Sequence, residues 1–319
     1  MNTPTNPDNT PPAAVAPLWD VGALRLQLMQ RDQQLAALHA SSSWRVTAPL
    51  RWAVGALKGL LNKSAAAPES ITPPPRDYTQ WVHEFDTPSD EVSANLKAQI
   101  DGFAVLPLFS ILLPCPAQTV QDAAVLALLE ATLASVRQQI YPNWELCIAA
   151  PDDADAAMRA QLARWATDEP RIKVSFATSA TPTGSLAALT NHALGMVSTA
   201  AHNPSRWVLR LNATDLIANK AIYSPASAIN EHQNCQIIYA DEDVLDAAGQ
   251  RSEPYFKCGW NPDLHESHNL IGRFGLYATA LVREVGGYGK DSDEVMDFDL
   301  SLRCVEQVKA EHICHVPQV

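Results

Sequence analysis

Short apolar runs alternate with helical stretches along the chain from about residue 109 onward. The apolar runs predict strands at 109–113, 144–149, 172–176, 207–211 and 236–240. The stretches between them predict helices at 120–139, 154–167, 185–198 and 219–232. Strands separated by single helices are typical of right-handed βαβ units, so an α/β fold with a mostly parallel sheet is predicted.

The pattern changes after residue 240. Residues 247–250 contain Gly249 and are expected to form the tip of a hairpin. The elements predicted beyond it are a strand near 274–279, a helix at 297–308 and a strand at 312–316. Upstream of the sheet, a helix ending near residue 100 is predicted to begin with Thr87 as its capping hydroxyl and Pro88 as its first helical residue.

The first 76 residues are predicted to be appendages to a domain at 77–319. They divide into a disordered segment at 1–20, a short amphipathic or coiled-coil helix at 21–40, a basic tryptophan-containing segment at 41–63 and a proline-rich linker at 64–76. The helix is expected to favour self-association. Residues 44–63 carry four basic residues and no acid, and two interpretations fit: contact with an anionic membrane surface, or tryptophans packed on the body or a partner.

Composition excludes some classes of function. The formal net charge of -12 over 319 residues argues against general nucleic-acid binding, which needs a basic face to displace counterions. The six cysteines form no CxxC pair and are interpreted as reduced thiols. We find neither a secretory pattern nor an uncharged apolar stretch of spanning length. The protein is therefore expected to be cytoplasmic, or peripheral at the inner face of the plasma membrane.

Several common site motifs are missing. The first strand runs into Pro114 rather than into GxGxxG, and neither GxxxxGK[ST] nor GxSxG occurs. The strand at 236–240 instead runs directly into Asp241, Glu242 and Asp243. Acids that follow a buried strand lie at the sheet edge, where they suit a metal or a polyhydroxylated ligand. The alternative is that they only solvate a turn.

Eight sequence segments together resemble one known family. They read FSILLPCP at 109–116, YPNWELCIA at 141–149, RIKVSF at 171–176, GSLAALTNHAL at 184–194, YADEDVLDAAGQRSEPYFK at 239–257, WNPDLHESHNLI at 260–271, LVREVGGY at 281–288 and MDFDLSLR at 296–303. SSSWRVTAPLRW at 41–52 is similar to the segment that precedes such domains. From residue 77 onward the chain resembles a family 2 glycosyltransferase of the GT-A fold, in the rhamnosyltransferase-like branch of bacterial polysaccharide and lipopolysaccharide enzymes.

The resemblance implies an inverting sugar transfer from a nucleoside diphosphate donor to a hydroxyl of a glycan or lipid-linked acceptor. Such a reaction needs a carboxylate base for the acceptor proton and a cation for the departing diphosphate. The family's base lies in an acidic pair at a helix start, which reads Met296-Asp297 here. Asp297 is the implied base; the alternative is an acid that only caps the helix dipole.

The family's metal motif is altered. Leu-Asp-x-Asp-Asp becomes Leu211-Asn212-Ala213-Thr214-Asp215, so Thr214 stands where the Mg²⁺ or Mn²⁺ ligand is expected. A neutral hydroxyl is a weak ligand for such a cation. Asp215, or the acids at 241–243, are expected to compensate.

The nucleotide site is altered as well. The family's Asp-Asp after the second strand falls on Ala150-Pro151, which leaves Asp152 and Asp153 displaced by one or two residues. Asn191 matches a family asparagine that is expected to reach the ribose or a loop backbone, or else to bond helix to helix. The nucleotide-sugar site implied by the resemblance comprises Pro114, Asp152, Asp153, Asn191, Asn212, Asp241 and Asp243, with Asp215 on the metal.

The sequence ends at Val319, before the family's Tyr-His-x-Arg segment, and is interpreted as truncated at the C-terminus. With the altered motifs, this keeps a second hypothesis open: a catalytically degenerate GT-A domain that acts as a binding or scaffold protein. The hypothesis of an active enzyme requires Asp215, Asp241 and Asp297 to share one cavity.

Overall fold

A computed structural model of the protein describes residues 77–116, 123–177, 185–197, 206–246, 249–289 and 293–319. The predicted disordered segment, coiled-coil helix, basic segment and linker all lie outside the described residues. So do the predictions of self-association and membrane contact that depend on them. Among the described residues, no helix has both the length and the apolar character needed to cross a membrane.

The described residues form nine α-helices and nine strands. The helices are α1 Tyr78–Trp81, α2 Asp90–Ile100, α3 Ala123–Arg137, α4 Ala156–Asp168, α5 Leu186–Met196, α6 Tyr223–Glu231, α7 Pro262–Ser267, α8 Thr279–Glu284 and α9 Met296–Val305. The strands are β1 Leu108–Pro114, β2 Trp144–Pro151, β3 Ile172–Ala177, β4 Arg206–Arg210, β5 Ile237–Ala240, β6 Glu242–Leu245, β7 Arg251–Tyr255, β8 Gly275–Ala278 and β9 Ile313–Val316. A π-helical turn, Val82–Asp86, follows α1, and a short 3₁₀ helix, Ala310–His312, precedes β9.

Seven of these strands form one sheet in the order β3-β2-β1-β4-β8-β5-β9. β1 pairs in parallel with β2 and β4, and only β8 runs antiparallel to its neighbours. This confirms the predicted α/β fold with a mostly parallel sheet. The strand order reverses between β1 and β4, and open α/β sheets bind ligands at the carboxyl ends of the strands where such a reversal occurs.

The central strands are buried on both faces. Successive β1 residues alternate between two apolar layers, with Ile111 on one side of the sheet and Leu112 on the other. Trp144 and Trp207 are each 1% exposed and fill the first layer. Parallel strands covered on both faces carry continuous apolar runs, and this is why their positions were predicted well from the sequence.

The structure corrects two local predictions. Ser89, not Thr87, caps α2: the Ser89 hydroxyl accepts a hydrogen bond from the Val92 amide, and the helix begins at Asp90. The Thr87 amide instead donates to the Val82 carbonyl and closes the π-helical turn.

The second correction concerns the cysteines, because a disulfide joins Cys235 to Cys314 beside the β5–β9 pair. The expectation of six reduced thiols is therefore wrong for this pair. Cys147, Cys258 and Cys304 are free thiols, as predicted.

Candidate active site at the carboxyl end of strand β4

An ion pair between Arg210 and Asp297 joins the end of β4 to the first turn of α9. Arg210 Nε donates to one carboxylate oxygen of Asp297 at 2.7 Å, and Nη2 donates to the other. The Arg210 side chain is 6% exposed, whereas that of Asp297 is 29% exposed. Arg210 pairs with Leu112 of β1, two residues before Pro114 ends that strand, so the predicted base contacts the sheet at its reversal point.

Arg210 is a buried cation with a fixed position. Its Nη1 donates to Asn212 Oδ1 at 2.5 Å, so the guanidinium is held from two sides. Burial by itself would lower the pKa of Arg210, but the hydrogen bonds and charge of Asp297 outweigh it and keep that pKa above its ordinary value. Sequence reasoning missed Arg210 because its partner lies 87 residues away. The one available signal was a basic residue at the end of an apolar strand.

The turn after β4 is held by Asp215. Its Oδ2 accepts a hydrogen bond from the Asn212 amide at 2.8 Å, and its own amide donates to the Asn212 carbonyl. Thr214, at the position expected to hold a metal, is exposed. The carboxylate predicted to compensate for Thr214 thus stabilises its own turn.

Asp241, at the end of β5, is buried and bonded within the fold. Its Oδ1 accepts from the Lys257 amide at 2.9 Å and lies 2.8 Å from His315 Nε2. The His315 ring stacks on Tyr239, with 4.9 Å between ring centroids. Asp241 therefore fastens β9 and the segment after β7 to the end of β5.

Asp243 faces a different part of the molecule. It accepts a hydrogen bond from Tyr78 Oη at 2.7 Å and from Arg251 Nε at 2.5 Å. The same arginine donates to Asp86, a buried residue of the π-helical turn. Asp243 thus belongs to a network that fastens α1 to the β6–β7 hairpin.

Asp152 and Asp153 follow β2 and are both exposed. Asp152 Oδ1 pairs with Arg159 at 3.2 Å, and the Arg159 guanidinium lies 4.1 Å from the ring centroid of Phe176. These two acids remain accessible at the same edge of the sheet, one strand away from β1.

Asn191, on α5, bonds to a loop backbone, which is one of the roles expected for it. Its amide group donates to the Tyr288 carbonyl at 2.8 Å, and its Oδ1 accepts from the Tyr288 amide at 2.9 Å. Gly287 has a φ of +78°, and a Cβ at this position would overlap Asn191 Oδ1. Asn191 thereby fixes the turn that leads from α8 towards Asp297.

Asp293 lies against the start of α5 and was also missed from the sequence. Its carboxylate accepts from the Leu186 amide at 2.8 Å and from the Ala187 amide and the Ser185 hydroxyl at 2.9 Å. Burial would raise the pKa of Asp293, but these bonds, aided by the charge of Arg210, lower it.

The acids that the structure describes at this site do not offer a divalent metal a set of ligands. In the described ranges, no group of three or more His, Cys, Asp or Glu side chains is arranged to hold one. Asp215 stabilises its turn, and both oxygens of Asp297 accept from Arg210. Asp215 and Asp297 both act through their charge on Arg210, whereas Asp241 bonds to Lys257 and His315. The condition that all three acids share one cavity is therefore not met, and an enzymatic role has to depend on Asp297 without Asp241.

A surface cavity of about 420 Å³ lies elsewhere, between α6 and β9. Tyr223, Glu231 and His315 are among the residues that line it. None of the residues predicted to form the site lines this cavity. The candidate site is therefore assigned from the charged residues at the end of β4, Arg210 and Asp297, and not from this cavity.

Comparison with known proteins gives two curated relatives. The chain is 32% identical over 306 residues to "O-antigen biosynthesis protein RfbC" of Myxococcus xanthus, covering 90% of this chain and 21% of that protein. It is 34% identical over 193 residues to "Uncharacterized protein y4gI" of Sinorhizobium fredii, covering 60% of this chain and 20% of the relative. The chain thus spans about a fifth of the length of the curated relatives it matches. No family model matches.

Among solved structures, Staphylococcus aureus TarS (residues 1–349) superposes with a TM-score of 0.50 at 16% identity, covering 66% of this chain and 58% of that one. At this identity the match establishes the fold alone. The chain has the GT-A fold predicted from its sequence.

Proposed function

We propose that this chain is the donor-binding and transfer domain of an inverting glycosyltransferase of cell-surface polysaccharide synthesis. Its donor would be a nucleoside diphosphate sugar and its acceptor a glycan or lipid-linked hydroxyl. The observation that carries the proposal is the contact between Asp297 and the end of β4, which brings the implied base to the ligand-binding edge of a GT-A sheet. The Myxococcus relative is named for O-antigen biosynthesis, which supports a role in cell-surface polysaccharide synthesis.

In the proposed reaction, the acceptor oxygen bonds to the anomeric carbon on the face opposite the diphosphate. The bond between that carbon and the diphosphate oxygen breaks, and its electron pair leaves with the diphosphate. The acceptor proton passes to a carboxylate, for which Asp297 is the candidate. Attack from the opposite face inverts the configuration of the anomeric carbon.

We assign the nucleotide end of the donor to the end of β2, the strand next to β1. Asp152 and Asp153 are exposed at the end of β2 and have carboxylates suited to hydroxyl and amino groups of a nucleoside. Asn191 is not assigned a contact with the donor, because its side-chain NH2 group and its Oδ1 both bond to the backbone of Tyr288. The role of Asn191 is then to hold the loop beside the donor.

The test is release of nucleoside diphosphate from UDP-, GDP- and dTDP-sugars supplied with a bacterial polysaccharide acceptor. The wild-type chain is expected to consume one donor class. Asp297→Asn is expected to keep donor binding and to lose turnover by about 100-fold or more, the usual contribution of a positioned base. If Asp297→Asn turned over at the wild-type rate, the assignment of the base would be wrong.

A second candidate function is a binding domain without turnover. The Arg210–Asp297 pair favours it, because Arg210 already occupies both oxygens that a base must present to an acceptor hydroxyl. In this case nucleotide sugars or glycans would bind, yet no donor in the panel would be consumed. Binding without any release of nucleoside diphosphate would favour this second function over the first.

A further inference from the structure

Arg210 is a fixed positive charge at the point of the sheet where the proposed donor binds. We infer that Arg210, and not a divalent metal, is the cation that receives the donor's diphosphate. This inference rests on the proposed function, since it names the group that binds the leaving diphosphate. It departs from the metal-dependent site that the sequence resemblance implies.

The position of Arg210 is the first argument. It ends β4, two residues before Asn212 of the altered metal motif, and lies where the strand order reverses. A guanidinium presents several N–H donors in one plane, which match the oxygens of a phosphate in pairs. A side chain here can meet the diphosphate without a bridging cation.

The second argument is that the carboxylates which would hold a cation are in use. Asp215 closes its own turn, Asp297 pairs with Arg210, and Thr214 contributes no charge. A metal bound to Asp297 would have to displace a guanidinium that is 94% buried with its partner in place. Breaking such a pair leaves a buried charge without compensation, which is strongly unfavourable.

The third argument concerns preorganisation. Asp297 and Asn212 fix the guanidinium before any ligand arrives, so the Arg210 side chain loses little further freedom on binding.

Asp297 also competes with a diphosphate for the same N–H donors of Arg210. Removing the negative charge of Asp297 should therefore strengthen nucleotide binding, whereas in a metal-dependent site the same change removes a ligand and weakens it.

The experiment measures binding of UDP, GDP and dTDP to the full chain by calorimetry, once in EDTA and once with Mn²⁺. At least one nucleotide should bind in EDTA, and Mn²⁺ should change its Kd by less than about threefold. Arg210→Met should weaken binding in EDTA by about tenfold or more, as expected for the loss of a charged hydrogen-bond donor, with Arg210→Lys intermediate. Asp297→Asn should tighten binding in EDTA.

Matched variants separate this effect from misfolding. Arg171→Met removes another ion-paired arginine, which is partly buried and lies at the opposite end of the strands, and should leave binding unchanged. Arg210→Met/Asp297→Asn removes both charges, so it should stay folded while binding as weakly as Arg210→Met.

Two results would overturn the inference. Binding that requires Mn²⁺ and is equal for wild type and Arg210→Met would refute it and leave the proposed function standing. No binding of any nucleotide by folded protein, with or without Mn²⁺, would refute both.

Discussion

Asp297 and Asp241, at the edge of this sheet, each have a local partner that carries a positive charge or can donate a hydrogen bond. Asp297 is held by Arg210, and Asp241 lies within hydrogen-bond distance of His315. An unpaired carboxylate would cost several kcal/mol in such surroundings, so local pairing is what allows acids to lie at a buried edge. A ligand that reaches these acids must therefore replace a contact that already exists.

An ion pair before β3 gives a prediction about acid stability. Hydrogen bonds from Arg171 lower the pKa of Glu169 from its ordinary value of 4.5 to about 2. Because the folded-state pKa is the lower one, the pair stabilises fully above about pH 4.5, and the stabilisation is lost as the pH falls towards 2. Glu169→Gln should lower the free energy of unfolding by about 1 kcal/mol at pH 7, a modest value because solvent screens the partly exposed Arg171.

Urea unfolding at a series of pH values checks this prediction. The difference between wild type and Glu169→Gln should shrink between pH 4.5 and 2. Asp168→Asn is the control, since Asp168 and Arg164 form an exposed pair at 3.8 Å and its loss should cost less than about 0.5 kcal/mol. A difference between wild type and Glu169→Gln that did not change with pH would contradict the assignment.

The roles of individual residues could be predicted from the sequence only where a local motif marks them. The motif around Asp297 located an acid at the start of a helix, and the structure has it there. Arg210 and Asp293 could not be found in this way, because their partners are 87 and about 107 residues distant. The partners of Asp241 were hidden for the same reason, since His315 is 74 residues away.

At the scale of elements, the turn between α8 and α9 offers two glycines for a matched test. Gly286 and Gly287 have φ values of +85° and +78°, so an alanine at either position is strained. Only at Gly287 would a Cβ overlap Asn191; at Gly286 the space is open. Gly286→Ala should cost about 1 kcal/mol from strain alone, and Gly287→Ala about 1–3 kcal/mol more from overpacking.

Thermal and urea unfolding of the two variants measure the difference. Adding Asn191→Ala to Gly287→Ala relieves the overlap, so the two changes together should cost less than the sum of the single changes. Equal destabilisation by Gly286→Ala and Gly287→Ala would show that Asn191 does not constrain this turn.

Elements with strong periodicity were predictable, and short ones were not. The strands of the parallel sheet were located within one or two residues because continuous apolar runs mark them. α7 and α8 were not predicted, since six residues are fewer than two helical turns and give no periodic pattern. The start of α2 was misplaced because two hydroxyl residues, Thr87 and Ser89, both suited the cap, and only the closed π-helical turn decides between them.

At the scale of the whole molecule, the topology followed from the order of strands and helices along the chain. Right-handed βαβ connections leave few ways to assemble such a series. The strand near 274–279 was predicted, but its antiparallel position between β4 and β5, as β8, was not. The position of β8 depends on pairing with strands that are distant in the sequence, and no local sequence pattern predicts such pairing.

The buried network around Asp86 tests how three distant parts of the molecule hold together. Asp86 is 2% exposed and pairs with Lys220, before α6, at 2.9 Å and with Arg251, in β7, at 2.5 Å. Asp86→Asn would leave Lys220 without its counter-charge and Arg251 with Asp243 alone, so it should lower the free energy of unfolding by about 3–5 kcal/mol. Urea unfolding gives this value directly.

Asp243→Asn is the matched control for this network. It removes the other carboxylate on Arg251, yet Arg251 and Lys220 both keep Asp86. The loss should therefore be about 1–2 kcal/mol, the scale of hydrogen bonds to a charged group. If Asp86→Asn and Asp243→Asn lost equal stability, the π-helical turn would contribute no more to the stability of the domain than a surface contact does. A loss several times larger for Asp86→Asn would mean that this one carboxylate couples the first described segment to the folding of the entire sheet domain.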